Sequence, residues 1–432
     1  LLEYIPNNAY TVSISGNPGY TVLQEARARS IFQPSPEQKM ETRLASGLIP
    51  PSAIKISGTV DVWISFPKTF SARQVVDNFK QSNIDVLSTQ YQSYRILSVR
   101  IAVNRLKELA ALPFVEYVQP APAGDQPLNY NSRYASRANF LNASIADGGK
   151  GLNGEGIVLG VGDNADVQTH IDFAGRLINR AAATAAGHGH HTTGTAAGAG
   201  NGNEQYRGYA SKATIVSQVF NGIILNAPIY VSDYGMVITN NSYGDNIDCG
   251  YYGSYDLYSR LLDQMAVDLP NLTNVFSAGN SGETVCSPFS SGFHTVLGGY
   301  QSAKNVITVG ASSDSGLIAP FSSRGPVKDG RLKPEIMAMG QKVISDNAGN
   351  SYYSNGGTSM AAPAVTGGLA LLYQRYRQLN GGANPKNGLM KAMLCNGASD
   401  RGNTGPDFQY GFGWMNLLRS LDIMENDHYF IA

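Results

Sequence analysis

A chain of 432 residues exceeds one small domain and suggests roughly two or three units, with ample material for a buried core. Its 32 basic and 32 acidic residues cancel, which excludes the basic footprint of a nucleic-acid binder and an electrostatic hold on a membrane. Only 15% of residues are charged, against 48 glycines and 24 tyrosines, a composition of tight turns and polar aromatics that favours an exported α/β or β-rich protein. No apolar run reaches the roughly 18 residues that span a bilayer, and residues 1–20 lack a basic start followed by an apolar stretch, so any export signal is expected to have been removed already.

Three cysteines are too few for a disulfide scaffold and have no metal-ligand spacing. Cys395, inside the helical pattern LMKAMLCNGA, reads as a small buried hydrophobe. Cys249 and Cys286 lie in loops just after apolar strand-like runs and are the better candidates for a pair.

In chain order, residues 1–45 carry a strand pattern (YTVSI), a helical pattern (TVLQEARARS) and the string SIFQPSPE. They read either as a partial echo of the module that follows or as a coincidence of composition. From 57 to 122, VDVWISF, SARQVVDNFKQS, YRILSVRIA, VNRLKELAAL and VEYVQP alternate strand and helix periods, giving β, α, β, α, β, the plan of a small ferredoxin-like α+β domain. Residues 120–140, rich in Pro, Asn, Ser and Arg without periodicity, read as an exposed linker. The boundaries are therefore set at 1–56, 57–122, 123–150 and 151–432.

After residue 150 the pattern changes to short continuous apolar runs: GIVLGVG (156–162), ATIVSQVF (213–220), MVITNNS (236–242), TNVFSAG (273–279) and NVITVGA (305–311). Strands of this kind are buried on both faces, which predicts a mainly parallel sheet with helices on each side, an α/β fold. In such sheets ligands gather beyond the carboxyl ends of the strands. Asp163, Asn241 to Gly244 and Asn280 all fall at such ends.

The string NGGTSMAAPAVTGGLALLYQRY (355–376) puts a hydroxyl residue, Ser359, where glycines end and a long helix of small residues begins. Unsatisfied N–H groups and the positive end of the helix dipole favour a developing oxyanion there, so Ser359 is the candidate nucleophile, with a plain helix cap as the alternative. Small residues at 361, 362, 364, 367 and 368 predict a tightly packed helix, and Pro363 is expected in its first turn, where a missing N–H costs little.

A serine hydroxyl needs a base. Three of six histidines crowd into HGHHTTGTAAGAG (188–200), and His188, before Gly189 at the mouth of a Gly- and Ala-rich helix, is the candidate, while His191 is expected to turn inward. The imidazole in turn needs a carboxylate. Asp163, directly at a strand end, is preferred over Asp166 and Asp172. Asn280, in FSAGNSG, offers an amide N–H to an oxyanion beside the backbone N–H of Ser359.

With these strings in place the chain resembles the subtilases over about residues 150–420. The order Asp, His, Ser is the subtilisin order; GTSMAAP and SAGNSG match the Ser and oxyanion blocks, and HGHHTTGTAA is similar to the His block. FSSRGP (321–326), DGRLKPEI (329–336) and YGFGWMN (410–416) also match stretches common in the family. The resemblance implies a subtilisin-like three-layer fold and a serine endopeptidase acting on polypeptides through an acyl-enzyme. It implies that Ser242, Tyr243 and Gly244 edge an extended substrate, and that Ser277, Ala278 and Gly279 form the facing wall of the pocket for the residue before the scissile bond. More weakly, residues 57–122 resemble the family's propeptide, implying a folding assistant that then blocks the cleft, and with it a secreted, cell-surface or periplasmic location. A latent zymogen and a catalytically silent peptide-binding relative are the rival readings. Two departures fall near the site: His190 stands between the histidines where Thr is usual, and Asn164 and Ala165 follow the Asp where Ser or Thr and then Gly are expected. No cofactor is implied; calcium, frequent in the family, has candidate oxygen ligands in Asp172 and the loop GNGNEQY (200–206), though Asn and Gly cluster in loops for turn geometry anyway.

Overall fold

The computed structural model describes all residues except 1–2, 6–8, 13, 15, 51–52, 122–129, 165, 169, 182–185, 246–247, 427 and 430–432. They fall into two compact units, Leu1–Gln126 and Pro127–Ala432.

In the first unit the alternating patterns become strands Thr59–Ser65, Asp85–Ser88, Ile96–Ala102 and Tyr117–Pro120, with helices Ala72–Gln81 and Leu106–Ala111 between them. The sheet is antiparallel throughout, Thr59–Ser65 and Ile96–Ala102 being its central pair. Period-two alternation turns Val60, Val62, Ile64, Leu97, Val99 and Ile101 into one core with Val75, Phe79, Leu106 and Leu109 of the helices. A capping box between Ser71 and Gln74 starts the longer helix. The order βαββαβ contains one strand more than the sequence pattern predicts. Asp85–Ser88 is four residues long and half exposed, too short to alternate visibly. Among the described residues of 1–45 there is no second module of this kind: Glu3–Ile5 and Ala9–Thr11 pair with each other, the helix covers only Tyr20–Glu25, and Met40 and Leu44 join the first core.

The second unit is built on a seven-stranded sheet, parallel at every pairing. Its strands are β1 (Val158–Asp163), β2 (Leu177–Asn179), β3 (Thr214–Val219), β4 (Met236–Asn241), β5 (Thr273–Ser277), β6 (Ile307–Ser312) and β7 (Ile336–Met339). They run in the order β7-β6-β5-β4-β1-β3-β2. Successive residues serve opposite faces. Ile215 and Val275 pack into one layer with helices α1 (Gly187–Ala197) and α2 (Thr358–Leu379), while Val216 and Phe276 pack into the other with the helix Leu257–Asp268. This is the three-layer α/β arrangement expected from runs buried on both faces.

Three elements went beyond the sequence pattern. β2 is three residues, β7 is the Met- and Ala-containing IMAM, and the antiparallel hairpin β8 (Val343–Asn347) and β9 (Ser351–Asn355) precedes α2. None carries the Val- and Ile-rich run that announces the others. Because β1 sits between β3 and β4, the chain reverses its winding there, and the carboxyl ends of β1 and β4 open a crevice that brings Asp163 and Ser242 to one edge.

Candidate active site

Asp163 is the last residue of β1, and His188 the second residue of α1. His188 Nδ1 lies 2.7 Å from Asp163 Oδ1. The neighbouring His190 and His191 are fully buried, whereas the His188 side chain is 33% exposed and the Asp163 side chain only 4%. That exposure decides which histidine faces a substrate. His191 donates through Nε2 to the Val343 carbonyl, 2.9 Å, and burial pulls its pKa down to about 4, so it is neutral. Burial also pulls on His188, but the hydrogen bond and charge of Asp163 win, leaving its pKa raised. Asp166 is spent on Gln168 N–H and Asn179, and Asp172 on loop N–H groups, so neither competes for the imidazole.

The Asp163 carboxylate is held from two further sides. Asn164 N–H donates to Oδ1 at 2.8 Å, and the Thr192 hydroxyl donates to Oδ2 at 2.9 Å. Residue 164 therefore contributes backbone alone, and the hydroxyl that its side chain lacks arrives from Thr192. Thr192 lies four residues after His188 on the same helix, hence on the same face. That spacing is the signal that could have identified it. Ala165, the other departure at this turn, lies outside the described residues.

Ser359 is the second residue of α2, whose first N–H groups have no partner within the helix. The helix is buried along most of its length and so tightly packed that a Cβ on Gly367 would come within 2.5 Å of the Ala196 carbonyl of α1. Pro363 is the sixth helical residue, not a first-turn one as the sequence suggested, so its missing N–H leaves the Ser359 carbonyl free. The Ser242 hydroxyl donates to that carbonyl at 2.9 Å. In return the Ser359 hydroxyl donates to the Ser242 carbonyl at 3.3 Å. No hydrogen bond joins Ser359 to His188 among the described residues.

Asn280 follows β5 just beyond Gly279. Thr358 donates to its Oδ1 twice, from N–H at 2.9 Å and from the hydroxyl at 3.0 Å, while Gly279 N–H donates to the Thr358 hydroxyl at 3.1 Å. With Oδ1 so engaged, Nδ2 is the free end of the amide. An atom placed where Gly357 would carry a Cβ lies 3.5 Å from Asn280 Nδ2 and 3.6 Å from Ser359 N. Two N–H donors thus flank one small space open only because residue 357 is glycine. Thr358, which fixes the amide, was not singled out from sequence. Asn280→Leu is expected to lower kcat by about 10²–10³-fold with little change in KM, a magnitude taken over from the corresponding donor of subtilisin itself. Steady-state kinetics with a check of Tm measures it; an unchanged kcat would remove Asn280 from the oxyanion site.

Of the six residues expected to line a substrate, Gly244 is exposed and its N–H and carbonyl carry no hydrogen bond among the described residues. The Tyr243 ring turns away into the core, packed on Phe220, Phe276 and Tyr300, with its hydroxyl donating to Asn241 Oδ1. Ala278 and Gly279 spend their backbone groups on Val309, Leu297, Thr358 and Ser323, so they and buried Ser277 supply wall rather than hydrogen bonds. Leu297 packs against both walls: its Cδ1 lies 2.5 Å from the Cβ position of Gly244 and its Cγ 2.8 Å from that of Gly279. Cys249 and Cys286 form a disulfide that ties together the loops following the two walls. Cys395 is buried and unpaired, and burial pushes its thiol pKa up to about 12, leaving it inert.

Around the candidate calcium ligands, the side chains make turn contacts. Gly202 and Gly200 N–H groups point at the Asp172 carboxylate, 3.1 Å each, Asn203 caps Gln205 N–H, and Glu204 pairs with Arg207.

A family model described as the subtilase family matches residues 154–413, wholly within the second unit. Serine protease AprX of Bacillus subtilis strain 168 is 27% identical over 326 residues, 64% of this chain and 69% of that protein. Subtilisin DY of Bacillus licheniformis is 36% identical over 143 residues, 33% of this chain and 44% of that protein. The solved structure of the Clostridium perfringens CspB protease aligns with a TM-score of 0.57 at 18% identity, covering 69% of this chain and 99% of that one, a likeness of fold.

Proposed function

We propose that this chain, which belongs to the subtilase family and is a serine endopeptidase of that family, cleaves peptide bonds through Asp163, His188 and Ser359. The observation that supports this most is the 2.7 Å pairing of a part-exposed His188 with a buried Asp163 at the sheet edge that also carries Ser242, the partner of Ser359. In this reading Ser359 Oγ attacks the carbonyl carbon as His188 Nε2 takes its proton. Asp163 holds the imidazolium, and Asn280 Nδ2 with Ser359 N–H receives the oxyanion. His188 then protonates the leaving amine, and water repeats the sequence to release the acyl-enzyme. The Ser359 hydroxyl leaves the Ser242 carbonyl for His188 when substrate enters, since catalytic hydrogen bonds often tighten only in the complex.

The substrates are polypeptides paired along the free backbone of Gly244. Leu297 between the two walls gives the pocket an apolar floor, which favours an apolar residue before the scissile bond and no strict demand for a basic one. The first unit acts as intramolecular chaperone and inhibitor, and maturation cuts within 120–140. That stretch is not exposed linker throughout, because Tyr130–Ala135 and Ala138–Asn142 are helices of the second unit with Ser132, Ala135 and Ala138 buried. The disulfide suits a secreted or cell-surface enzyme, because such bonds persist in oxidising compartments. Among the described residues no helix is long and apolar enough to cross a membrane.

A second reading, a latent zymogen or silent peptide binder, has one observation on its side, the Ser359 hydroxyl resting on Ser242 rather than on His188. A fluorophosphonate probe separates the two. It is expected to label Ser359 in chains that have acquired a new N-terminus within 120–140, and those chains are expected to cut peptide libraries after apolar residues. A probe that never reacts, with the chain whole or cut, would rule out the hydrolase mechanism.

A further inference from the structure

Three side chains that the catalytic reading leaves unused meet beneath the β8–β9 hairpin. His170, Asp172 and Asp346 are 2%, 0% and 0% exposed, and one donor atom from each lies within 4.8 Å of the others. His170 and Asp172 belong to the turn after Asp163, and Asp346 to β8. Asp346 is the anomaly: among the described residues no donor reaches either of its carboxylate oxygens, and its nearest polar neighbour is another carboxyl, that of Asp172. The backbone of α1 closes over it, since Cβ atoms on Gly194 and Gly198 would stand 2.6 and 3.1 Å from Oδ2. The charge of Arg176 reaches this carboxylate, but its guanidinium N–H groups go to the carbonyls of Asp172, Ala197 and Ala213. A buried carboxylate without donors must acquire a proton or a counter-cation.

His170 does not supply that charge, because its Nδ1 accepts from Asp172 N–H at 3.2 Å and so carries no proton to give. Its Nε2–H donates to the Ser351 carbonyl at 3.2 Å, which fixes the tautomer and leaves the Nδ1 lone pair facing Asp346 Oδ2 at 3.7 Å. The same lone pair receives one long contact, 3.2 Å, from Asp172 N–H. With that N–H on its lone pair, Nδ1 stands 3.7 Å from Asp346 Oδ2 as one acceptor beside another, with no proton between them. Asp172 completes the group. Gly200 N–H and the Tyr352 hydroxyl, at 3.1 and 3.4 Å, donate to Oδ2, while Gly202 N–H alone donates to Oδ1, which keeps a further lone pair. An imidazole anchored by its other N–H on a carbonyl, beside a carboxylate anchored by N–H donors, is the outer support that metal ligands require.

We infer that His170, Asp172 and Asp346 form a structural site for a divalent transition-metal ion of the zinc type. One imidazole nitrogen with carboxylate oxygens is a zinc donor set, whereas calcium and magnesium select oxygen alone. Closed burial makes the site structural rather than catalytic. The ion pins the turn that follows Asp163 to the hairpin that leads into Ser359, and so braces two catalytic elements from behind.

The test uses the full chain carrying Ser359→Ala, to prevent self-digestion, stripped with chelator and offered Zn2+, Mn2+ or Ca2+ separately. Elemental analysis after desalting is expected to find about one Zn2+ per chain and no Ca2+, with Tm raised by Zn2+. Cobalt substitution is expected to give a visible absorption band from the imidazole-ligated ion. Asp346→Asn, close in shape, is expected to lose the bound Zn2+ and the Zn2+-dependent Tm shift; His170→Gln provides the same comparison should the first variant fail to fold. Absence of retained transition metal, retention of calcium alone, equal retention in both variants, or an Asp346→Asn chain more stable than its parent would overturn the site and leave a protonated Asp346 in its place.

Discussion

Replacing Ser359 with alanine is expected to lower kcat by about 10⁶-fold while KM stays within a few-fold, the scale of loss that subtilisin itself shows when the same group is removed. The reasoning is local. Alanine keeps the backbone N–H at the start of α2, so the donor pair of Asn280 and residue 359 survives and sustains a residual rate about 10³–10⁴-fold over water. Only the attacking oxygen is lost. Stability should barely change, because the turn is held by Gly357 N–H on the Gly340 carbonyl, 2.8 Å, and by Ser242 on the residue 359 carbonyl, 2.9 Å, neither of which involves the Ser359 hydroxyl. Kinetics on a peptide substrate beside a melting curve measure both quantities. Equal cleavage by parent and variant would mean that the activity belongs to another protein in the preparation.

The parts of the site legible in the sequence are those that local structure dictates. Asp163 ends a Val- and Ile-rich run, Ser359 follows two glycines into a helix of small residues, and Asn280 ends another buried run; each stands where strand or helix geometry leaves polar groups unpaired. What supports those groups was less legible, because most of it arises only when distant segments meet; Thr192, one turn after His188, alone had a local signal. Thr192 replaces the hydroxyl missing after Asp163, Thr358 turns the Asn280 amide, and Ser242 meets the carbonyl that Pro363 leaves bare. Tyr243 shows the opposite case. Its place in the chain marks a substrate edge, but its ring fills the core between Phe220, Phe276 and Tyr300, so only backbone remains for a substrate. The fold shows the same division. Strands with continuous β-branched runs were predictable, while β2, β7 and the β8–β9 hairpin are held by neighbours rather than by composition.

Asp163→Asn is expected to cost about 10⁴-fold in kcat and to move the acid limb of the kcat/KM profile to lower pH. Catalysis needs a neutral His188, so activity falls as pH drops through its pKa. In the parent chain burial alone would hold that pKa down, but the 2.7 Å hydrogen bond and the charge of Asp163 outweigh burial and raise it, which sets the acid limb above the ordinary imidazole value of about 6.5. An amide at residue 163 removes the charge and leaves burial unopposed. The imidazole then loses protons more readily, and the limb shifts downward. The same loss removes what stabilises the imidazolium during attack, so kcat falls even at pH values where His188 is fully neutral. The two effects are separable: the limb reports the resting enzyme, and the plateau reports the transition state. An Asp163→Asn chain whose acid limb coincides with that of the parent would show that His188 titrates independently of residue 163, and the pairing at the end of β1 would then have no catalytic meaning.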